Sequence, residues 1–395
     1  MIFGIPERSR GILRDNLDDC IMADQKLVFI VAPFAPSFVD FRGALIAELV
    51  ARGHSVVAVA PAMDDRVAGA LRNLGAEPHE IALQNASLNP LSFVQSFRGL
   101  RALIRSKRPD VVIGYAIKPA IISSLAGAIE RVGRVICVIT GVGYAFTGGR
   151  EPKRVLSRAA AFMLYRVALK GSAGIVFLNP DDRRLFRQMR LLPKGIPTHV
   201  LNGEGVDTRY FSPVPFPRAP SFLMIARLLK DKGIREFAQA AKRIKAAHPE
   251  VRVSLVGPFY PSPDSLTRNE LDELIASGID YLGPLDDVRP AIAACSVYVL
   301  PSYREGTPRS VLEAMSMGRA IITTDAPGCR ETVVNGRNGI LVRPRDADSL
   351  HEAMLRFARE PNLANKMGRI SRELVEARYD VRKVNANLLE FAGLA

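Results

Sequence analysis

The chain has 395 residues, of which 48% are hydrophobic and 24% charged, and this length is sufficient for two ordinary domains with separate cores. Its four cysteines have no paired spacing and no apolar run reaches the roughly 18 residues of a membrane helix, so neither a disulfide framework, a zinc site nor a membrane span is predicted. The net charge of +14 requires an anionic partner, and the absence of tryptophan and of an aromatic–basic RNA motif makes nucleic acid the weakest candidate.

The first half of the chain predicts a parallel sheet with crossover helices, because short apolar runs alternate with amphipathic stretches. Residues 1–25 are polar and patternless and are expected to be an N-terminal extension, with Met22 as an alternative start. The predicted strands are Leu27–Ala32, Ser55–Ala60, Asp110–Gly114, Arg134–Thr140, Ala173–Leu178 and Thr198–Leu201. The predicted helices are Phe41–Arg52, Leu91–Lys107, Pro119–Arg131, Pro152–Lys170 and Asp181–Met189.

A proline-rich segment, Tyr210–Pro220, interrupts this alternation and is predicted to be a linker, because proline removes backbone donors and disfavours helix before it. A second series of elements follows it. Its predicted strands are Ser221–Ala226, Arg252–Val256, Ile279–Leu282, Val297–Pro301, Ala320–Thr323 and Gly339–Val342. Its predicted helices are Gly233–Ala247, Arg268–Ser277, Val288–Ala294 and Pro308–Met317, and about fifty mainly helical residues close the chain.

The fold class predicted from these series is α/β, with two Rossmann-like domains. A ligand is expected between them, at the carboxyl ends of the strands. We place the N-terminal domain at residues 26–205, the linker at 206–220 and the C-terminal domain at 221–375. The last helical segment, 376–395, is expected to pack back on the N-terminal domain.

The sharpest motif begins directly after the predicted strand Val297–Pro301 and contains two glutamates, Glu305 and Glu313. Pro308 suits a first helical turn, where the amides of Arg309 and Ser310 and the helix dipole would form an anion site. Eight residues of helix span about 12 Å, so the two carboxylates cannot grip one group but could bracket a longer ligand. Two solvated glutamates near a helix start are the plain alternative.

A second motif, Arg227 to Gly233, follows the first predicted strand of the second series. Arg227 offers a planar fork for phosphate oxygens, and Lys232 offers a movable point charge. The pair suits a diphosphate that gains charge as it leaves. In a chain this basic, a cationic surface loop is the competing interpretation.

Taken together, the two motifs resemble those of the family 4 retaining glycosyltransferases, which have the GT-B fold of two Rossmann-like domains facing a central cleft. Glu305 and Glu313 match the family's E-x7-E motif, and Arg227 and Lys232 match its phosphate-binding pair. The resemblance implies catalytic roles for Arg227, Lys232 and Glu305, with Glu305 on sugar hydroxyls and Glu313 on the ribose. The donor-binding residues that it implies are Arg227, Lys232, Gly283, Leu285, Glu305, Gly306, Thr307, Arg309, Ser310 and Glu313.

A narrower likeness concerns the acceptor. The segments Gly114–Pro119 and Thr140–Gly148, together with Phe41-Arg42, look like the capsule and lipid-linked-oligosaccharide branch. That branch adds hexose or N-acetylhexosamine to undecaprenyl-diphospho-sugars. Glycines after a strand would let the backbone approach a substrate, although an ordinary tight turn is the alternative. The acceptor-side residues implied are Arg42, Lys118, Thr140, Gly141, Gly143 and Tyr144.

Two features depart from the family pattern. Many members carry His-Asp near the position of Thr140-Gly141, and Pro308 replaces a residue whose amide could serve the donor.

We find no metal site and expect no cofactor, because the acidic pairs lack the D-x-D form and the five histidines are scattered. The resemblance implies retention at the anomeric carbon without a protein nucleophile, so catalysis would be positioning and charge stabilisation.

Two basic amphipathic stretches predict docking on anionic lipid. In the first, Arg98, Arg101, Arg105 and Arg108 follow helical spacing, and the second is Pro152–Lys170. A core-packed helix with a solvated basic face is equally compatible with each stretch. The expected partners are thus a nucleotide-sugar donor, a lipid-linked sugar acceptor and an anionic membrane surface, with no nucleic acid. The expected location is cytoplasmic, peripheral on the inner face of the cell membrane.

The sequence therefore predicts a glycosyltransferase that uses a nucleotide-diphosphate sugar, for which UDP is the expected nucleotide. The nearest rival is a sugar-nucleotide 2-epimerase of the same two-sheet plan, which would need no acceptor. A non-catalytic sugar-nucleotide-binding protein is a rival from another class, and a basic nucleic-acid protein is the third.

Overall fold

A computed structural model describes residues 25–83, 90–141, 162–217, 219–260, 262 and 264–395. By their internal contacts these residues form two compact units. The first unit contains the chain up to Val138, the segment Val167–Gly174 and Leu394. The second contains Ile139–Arg166, Ile175–Gly393 and Ala395.

The first sheet has seven strands in the order β3-β2-β1-β4-β5-β6-β7. Neighbouring strands from β3 to β5 pair in parallel, as do β6 and β7. The strands are β1 Leu27–Val31, β2 Ser55–Ala60, β3 Ala76–Glu80, β4 Val111–Tyr115, β5 Arg134–Ile139, β6 Gly174–Phe177 and β7 Thr198–Val200. The helices among them are α1 Pro36–Asp40, α2 Gly43–Ala51, α3 Asp65–Asn73, α4 Pro90–Lys107, α5 Ile117–Glu130 and α6 Pro180–Gln188.

The second sheet has six strands in the order β10-β9-β8-β11-β12-β13, all paired in parallel. The strands are β8 Ser221–Ile225, β9 Arg252–Val256, β10 Asp280–Tyr281, β11 Val297–Leu300, β12 Ala320–Thr324 and β13 Gly339–Val342. The helices are α7 Ile234–Ala247, α8 Arg268–Ala276, α9 Arg289–Ala293, α10 Arg309–Ser316, α11 Ala347–Arg359, α12 Pro361–Arg378 and α13 Val381–Ala392.

The central strands of both sheets are buried on both faces, which explains their near-continuous apolar sequences. In β4 and β11 every residue is buried. The apolar stripe of α7 packs into the same core as β8 and β11, with Phe237 and Ile244 fully buried. Because the central strands are buried on both faces, only the loops at the strand ends can contact a ligand. The predicted site residues lie in these loops.

The alternation of strands and helices that the sequence predicted is confirmed, with boundaries that differ by at most two residues. Three elements were missed. They are the short helices α1 and α3 and the strand β3, whose sequence Ala-Glu-Pro-His-Glu carries almost no apolar signal because it lies at the sheet edge. Of the predicted helix Pro152–Lys170, residues 152–161 lie outside the described part, and 162–168 are helical. The described residues of Tyr210–Pro220 form neither helix nor strand, as proline predicts.

Candidate active site

The predicted donor-binding residues lie at the carboxyl edge of the second sheet. Arg227 and Lys232 follow β8, Gly283 follows β10, and the segment from Arg304 to Ser310 follows β11. Strands β8 and β11 are neighbours, and the strand order reverses between them. In open parallel sheets, ligands bind at this kind of switch point because the loops on its two sides diverge.

Lys232 and Glu305 form a direct ion pair, with 2.6 Å between Lys232 Nζ and Glu305 Oε1. Their side chains are only 12% and 16% exposed. The approach depends on Gly233, whose φ is +74° and where a Cβ would lie 2.1 Å from the Pro301 carbonyl oxygen. The sequence motif placed both residues near the ligand but did not predict that they bind each other.

The charge of Lys232 is held by its acidic neighbours. Burial is the largest single influence and lowers the pKa of Lys232, but the charge and hydrogen bond of Glu305, together with the charge of Asp231, raise it above its ordinary value. Asp231 has a raised pKa, first because it is buried and also because Glu305 and Asp264 are near, while Lys232 and Arg227 act in the opposite direction. The lysine is therefore a cation in the ligand-free protein.

Arg227 stacks its guanidinium on the Tyr260 ring, with 4.5 Å from Cζ to the ring centroid. Tyr260 belongs to the segment after β9 and is 43% exposed. A guanidinium that lies over a ring keeps its N–H groups, which lie in its own plane, free of the ring face. This geometry suits the recognition of two phosphate oxygens at once.

Helix α10 begins at Arg309, and Pro308 is its N-cap. Pro308 thus lies one residue before the first turn in which the sequence placed it. Its carbonyl oxygen accepts hydrogen bonds from the amides of Val311 and Leu312. The first amides of a helix have no acceptor within the helix, so those of Arg309 and Ser310 lie at the positive end of its dipole.

The two glutamates of the E-x7-E motif have different partners. Glu305 pairs with Lys232, whereas Glu313 accepts from Arg309 Nε at 3.0 Å one turn earlier in α10. Ser310 lies beside Tyr298, whose hydroxyl also bonds the backbone of Ile225 at the end of β8. Each carboxylate is therefore held by its own cation, Glu305 in the loop before α10 and Glu313 within the helix.

Gly257 and Gly283 join the loops after β9 and β10, because the Gly257 amide donates to the Gly283 carbonyl at 3.0 Å. The Tyr281 hydroxyl donates to the Gly257 carbonyl at 2.7 Å. Gly283 has a φ of +71° and open space where a Cβ would stand, and Leu285 beyond it is exposed. An exposed backbone turn at this position can face a flat ligand.

The loop that carries Glu305 is fixed on several sides. A Cβ at Gly328 would lie 2.0 Å from the Glu305 carbonyl oxygen, and the Glu305 amide donates to the Pro327 carbonyl at 2.9 Å. A Cβ at Gly306 would lie 2.1 Å from the carbonyl oxygen of Thr140. Glycine is therefore required at 306 and 328 by close backbone approach.

Asn179 and Asp182, at the start of α6, contact the same loop and were not identified from the sequence. Asn179 Nδ2 donates to the Gly306 carbonyl at 2.7 Å, and Arg304 forms an ion pair with the fully buried Asp182. Burial raises the pKa of the Asp182 carboxyl, and Arg304 and Asn179 lower it in part. Removing Arg304 would leave a buried carboxylate uncompensated, at a cost of about 3–5 kcal/mol.

Among the residues predicted for the acceptor side, Arg42 contacts Tyr115 in the first unit. The Arg42 guanidinium lies 4.0 Å from the Tyr115 ring centroid, and its Nη1 donates to the Ser37 carbonyl at 3.2 Å. Lys118 stands in the first turn of α5, and burial lowers its pKa. Ala116, the residue before that helix, has φ +65° and ψ 170°, a conformation that costs about 1–3 kcal/mol outside glycine.

The remaining acceptor-side predictions divide into two groups. Thr140 and Gly141 directly follow β5, and Thr140 contacts Gly306 as described above. Gly143 and Tyr144 lie outside the described residues. Across the described ranges there is no group of three or more His, Cys, Asp or Glu residues arranged to hold a metal ion.

Two family models match the chain. Residues 41–203 match a glycosyl transferase 4-like domain, and residues 219–360 match the glycosyl transferases group 1. The N,N'-diacetylbacillosaminyl-diphospho-undecaprenol alpha-1,3-N-acetylgalactosaminyltransferase of Campylobacter jejuni is 28% identical over 330 residues, which cover 80% of this chain and 85% of that protein. The UDP-Gal:alpha-D-GlcNAc-diphosphoundecaprenol alpha-1,3-galactosyltransferase of Escherichia coli is 25% identical over 305 residues, 73% of this chain and 76% of that one.

Solved structures share the fold. A sucrose-phosphate synthase from Thermosynechococcus elongatus superimposes with a TM-score of 0.76 at 18% identity, covering 93% of this chain and 98% of that one. Anabaena HepE in complex with UDP gives a TM-score of 0.73 at 16% identity, covering 93% and 99%. These structural neighbours show the GT-B fold, and the family models and the two bacterial relatives show that the class of protein is a glycosyltransferase. The chain belongs to the family 4 glycosyltransferases, with a 4-like domain followed by a group 1 domain.

Proposed function

We propose that this glycosyltransferase moves a hexose or N-acetylhexosamine from a UDP-sugar to an undecaprenyl-diphosphate-linked sugar, with retention at the anomeric carbon. The observation that carries the donor half is the Lys232–Glu305 pair, which lies beside Arg227 at the reversal point of the second sheet. The acceptor half is supported by the two bacterial relatives, both of which are named for diphospho-undecaprenol sugars. The pathway would be polysaccharide or glycan assembly.

Each part of the donor would be bound by a different group of residues. Arg227 and Lys232 would take the diphosphate, and the amides at the start of α10 would add the positive end of the helix dipole. Glu305 would accept hydrogen bonds from sugar hydroxyls, and Glu313 from the ribose. The turn at Gly283 and Leu285 would face the base, since this backbone is exposed.

Catalysis would then be positioning and charge stabilisation. As the bond from the sugar to the diphosphate breaks, negative charge would develop on the leaving phosphate, and Arg227 and Lys232 would neutralise it. Their two positive charges can perform the neutralisation that a divalent ion performs elsewhere. Because no side chain is needed as a nucleophile, the acceptor hydroxyl would attack on the face from which the diphosphate departs, and a leaving-phosphate oxygen would take its proton.

Arg42, Lys118, Thr140 and Gly141 would serve the acceptor, with Gly143 and Tyr144 beyond the described residues. The basic helix α4 would bring the first unit to an anionic membrane surface on the cytoplasmic face. Along α4, Arg98 and Arg105 are exposed on the same side as Leu91 and Val94, which are 77% and 43% exposed. Arg101 instead forms an ion pair with Glu130 at 2.5 Å. None of the helices the structure describes is long and apolar enough to cross a membrane.

A donor panel tests the function. Purified protein is incubated with UDP-, GDP- and ADP-sugars and with undecaprenyl-diphospho-sugar extracts, and products are identified by mass spectrometry, with the anomeric configuration read by NMR. We expect a lipid product one sugar heavier, from a UDP-sugar, in the donor's own configuration. A new nucleotide sugar formed from donor alone would identify the 2-epimerase instead. Donor that binds but stays unchanged with every acceptor would contradict transfer.

A further inference from the structure

Asn179 is a fully buried amide between β6 and α6 that the proposed function leaves without a role. Its side-chain oxygen caps α6 by accepting the Asp182 amide hydrogen at 2.7 Å. The same side chain faces the loop after β11 with its nitrogen. Asn179 Nδ2 donates to the Gly306 carbonyl at 2.7 Å and lies 3.4 Å from the Glu305 carbonyl. One residue thus combines a helix cap with a contact to the loop that carries Glu305.

The contact fixes the orientation of two consecutive peptide groups. No cis peptide bond occurs among the described residues, so the C=O and N–H of each peptide in this loop point in opposite directions. Because both carbonyls face Asn179, the Gly306 and Thr307 amides face away from it. Neither amide donates to an acceptor within the described part of the chain. Both are therefore available to a ligand beside the Glu305 side chain.

The other contacts either hold the ends of the loop, pack against its carbonyls at Gly328 or are local to it, as where the Thr307 hydroxyl also reaches the Gly306 carbonyl at 2.9 Å. Arg304 is paired with Asp182, and the Thr307 hydroxyl donates to the Leu178 carbonyl at 2.8 Å. Glycine at 306 and 328 allows the backbone to approach closely, but glycine also permits many peptide orientations. Asn179 supplies the directional bonds that select one of them.

We infer that Asn179 is a positioning residue for donor transfer, orienting Glu305 and the amides of Gly306 and Thr307 toward the donor sugar. The inference rests on the proposed function, because it takes that loop to be the donor-sugar site. It predicts that loss of Nδ2 damages use of the sugar nucleotide and spares binding of the nucleoside diphosphate, since Arg227 and Glu313 lie on other elements.

Two substitutions separate the cap from the loop contact. Asn179→Ser keeps a good N-cap but loses the reach to Gly306, whereas Asn179→Ala loses both. We expect both variants to lower kcat with a UDP-sugar about ten-fold, with unchanged calorimetric affinity for UDP. Asn179→Ala should lose more thermal stability than Asn179→Ser, because both lose the bond that Nδ2 donates to the Asp182 carboxylate at 3.1 Å and only Asn179→Ala also loses the cap. Asp346→Ala, which removes the cap of α11, is the matched control and should lower Tm without changing kcat.

If Asn179 were only structural, kcat would follow Tm, so a normal kcat in Asn179→Ser would overturn the inference. A crystal structure of Asn179→Ser with the 305–307 peptides in their original orientation would overturn it as well. A wild-type protein that binds UDP-sugars but transfers nothing would instead refute the proposed transfer. In that case a weaker UDP-sugar affinity of Asn179→Ser, at equal UDP affinity, would still support the positioning role.

Discussion

Among the predicted site residues, the Glu305 loop and the Arg42 region are held in place by different physical means, although Arg227 lies over an aromatic ring as Arg42 does. Around Glu305, cations and carboxylates pair directly, as in Lys232–Glu305, Arg309–Glu313 and Arg304–Asp182. Around Tyr115, the Arg42 guanidinium is stacked on an aromatic ring and bonds a backbone carbonyl. The pKa values follow this difference, because acidic neighbours raise that of Lys232 against burial, whereas burial lowers that of Lys118.

The comparison indicates how each region meets an anionic ligand. In the donor region the charges are balanced before a ligand arrives, so binding must exchange one set of ion pairs for another. In the acceptor region the strained turn at Ala116 places Lys118 at the start of α5, where a lowered pKa makes its charge easier to lose. Donor-side variants should therefore act on the reaction itself, and first-unit surface variants on access to the acceptor.

The largest effect should come from the donor-side cations. Arg227→Ala and Lys232→Ala should each lower turnover by about 10²-fold or more, because each removes a preorganised charge from the leaving diphosphate. Steady-state transfer from a UDP-sugar measures this loss. Lys230→Ala is the matched control, since Lys230 lies two residues from Lys232 in the same short 3₁₀ helix. Folded Arg227 and Lys232 variants with near-normal turnover would contradict the diphosphate role.

A smaller effect should separate the two glutamates. Glu313→Gln should weaken both UDP and UDP-sugar binding by about ten-fold, the loss expected for one charged hydrogen bond. Glu305→Gln should not weaken UDP binding and should weaken only the binding of the full sugar nucleotide. Isothermal titration calorimetry with both ligands measures the difference. Equal losses for both ligands in both variants would show that the carboxylates do not bracket the donor.

The smallest effect concerns the membrane surface of the first unit. Each exposed basic side chain contributes about 1 kcal/mol near anionic lipid, and this attraction falls with salt. We expect sedimentation with anionic but not neutral vesicles, reduced several-fold by Arg98→Glu with Arg105→Glu. Arg356→Glu with Arg359→Glu on α11 is the control in the second unit. Wild-type protein that ignores anionic vesicles at low salt would remove the support for lipid docking.

The same contrast shows what the sequence could and could not predict. The strands were predictable because burial on both faces makes them continuously apolar, and strand ends in turn located Arg227, Lys232 and Glu305. The strand β3 was missed because an edge position asks for little apolar surface. The sequence Asn179-Pro180 predicts a helix start, because asparagine is a common N-cap and proline a common first helical residue. It does not predict which residue the side-chain nitrogen of Asn179 contacts.

The features that the sequence did not predict are contacts between residues that are far apart along the chain. Asn179 lies 127 residues from Gly306, and no local pattern relates them. Thr140 was assigned to the acceptor from a resemblance, yet its carbonyl is what restricts position 306 to glycine. Arg101 shared the helical spacing of its neighbours, and only the structure pairs it with Glu130. Periodicity predicts a face of a helix, but not which of its charges is already neutralised.

The Lys232–Glu305 pair has a consequence for ligand selectivity. An anion that bound Lys232 would also meet the Glu305 carboxylate, whose Oε1 lies 2.6 Å from Lys232 Nζ and would repel bare phosphate and inorganic diphosphate. A sugar nucleotide carries hydroxyl groups as well as phosphates. When its phosphates displaced the Glu305 carboxylate from Lys232, the sugar hydroxyls would donate hydrogen bonds to that carboxylate. The abundant free phosphates of a cell would then compete poorly for a site whose charge alone would have attracted them.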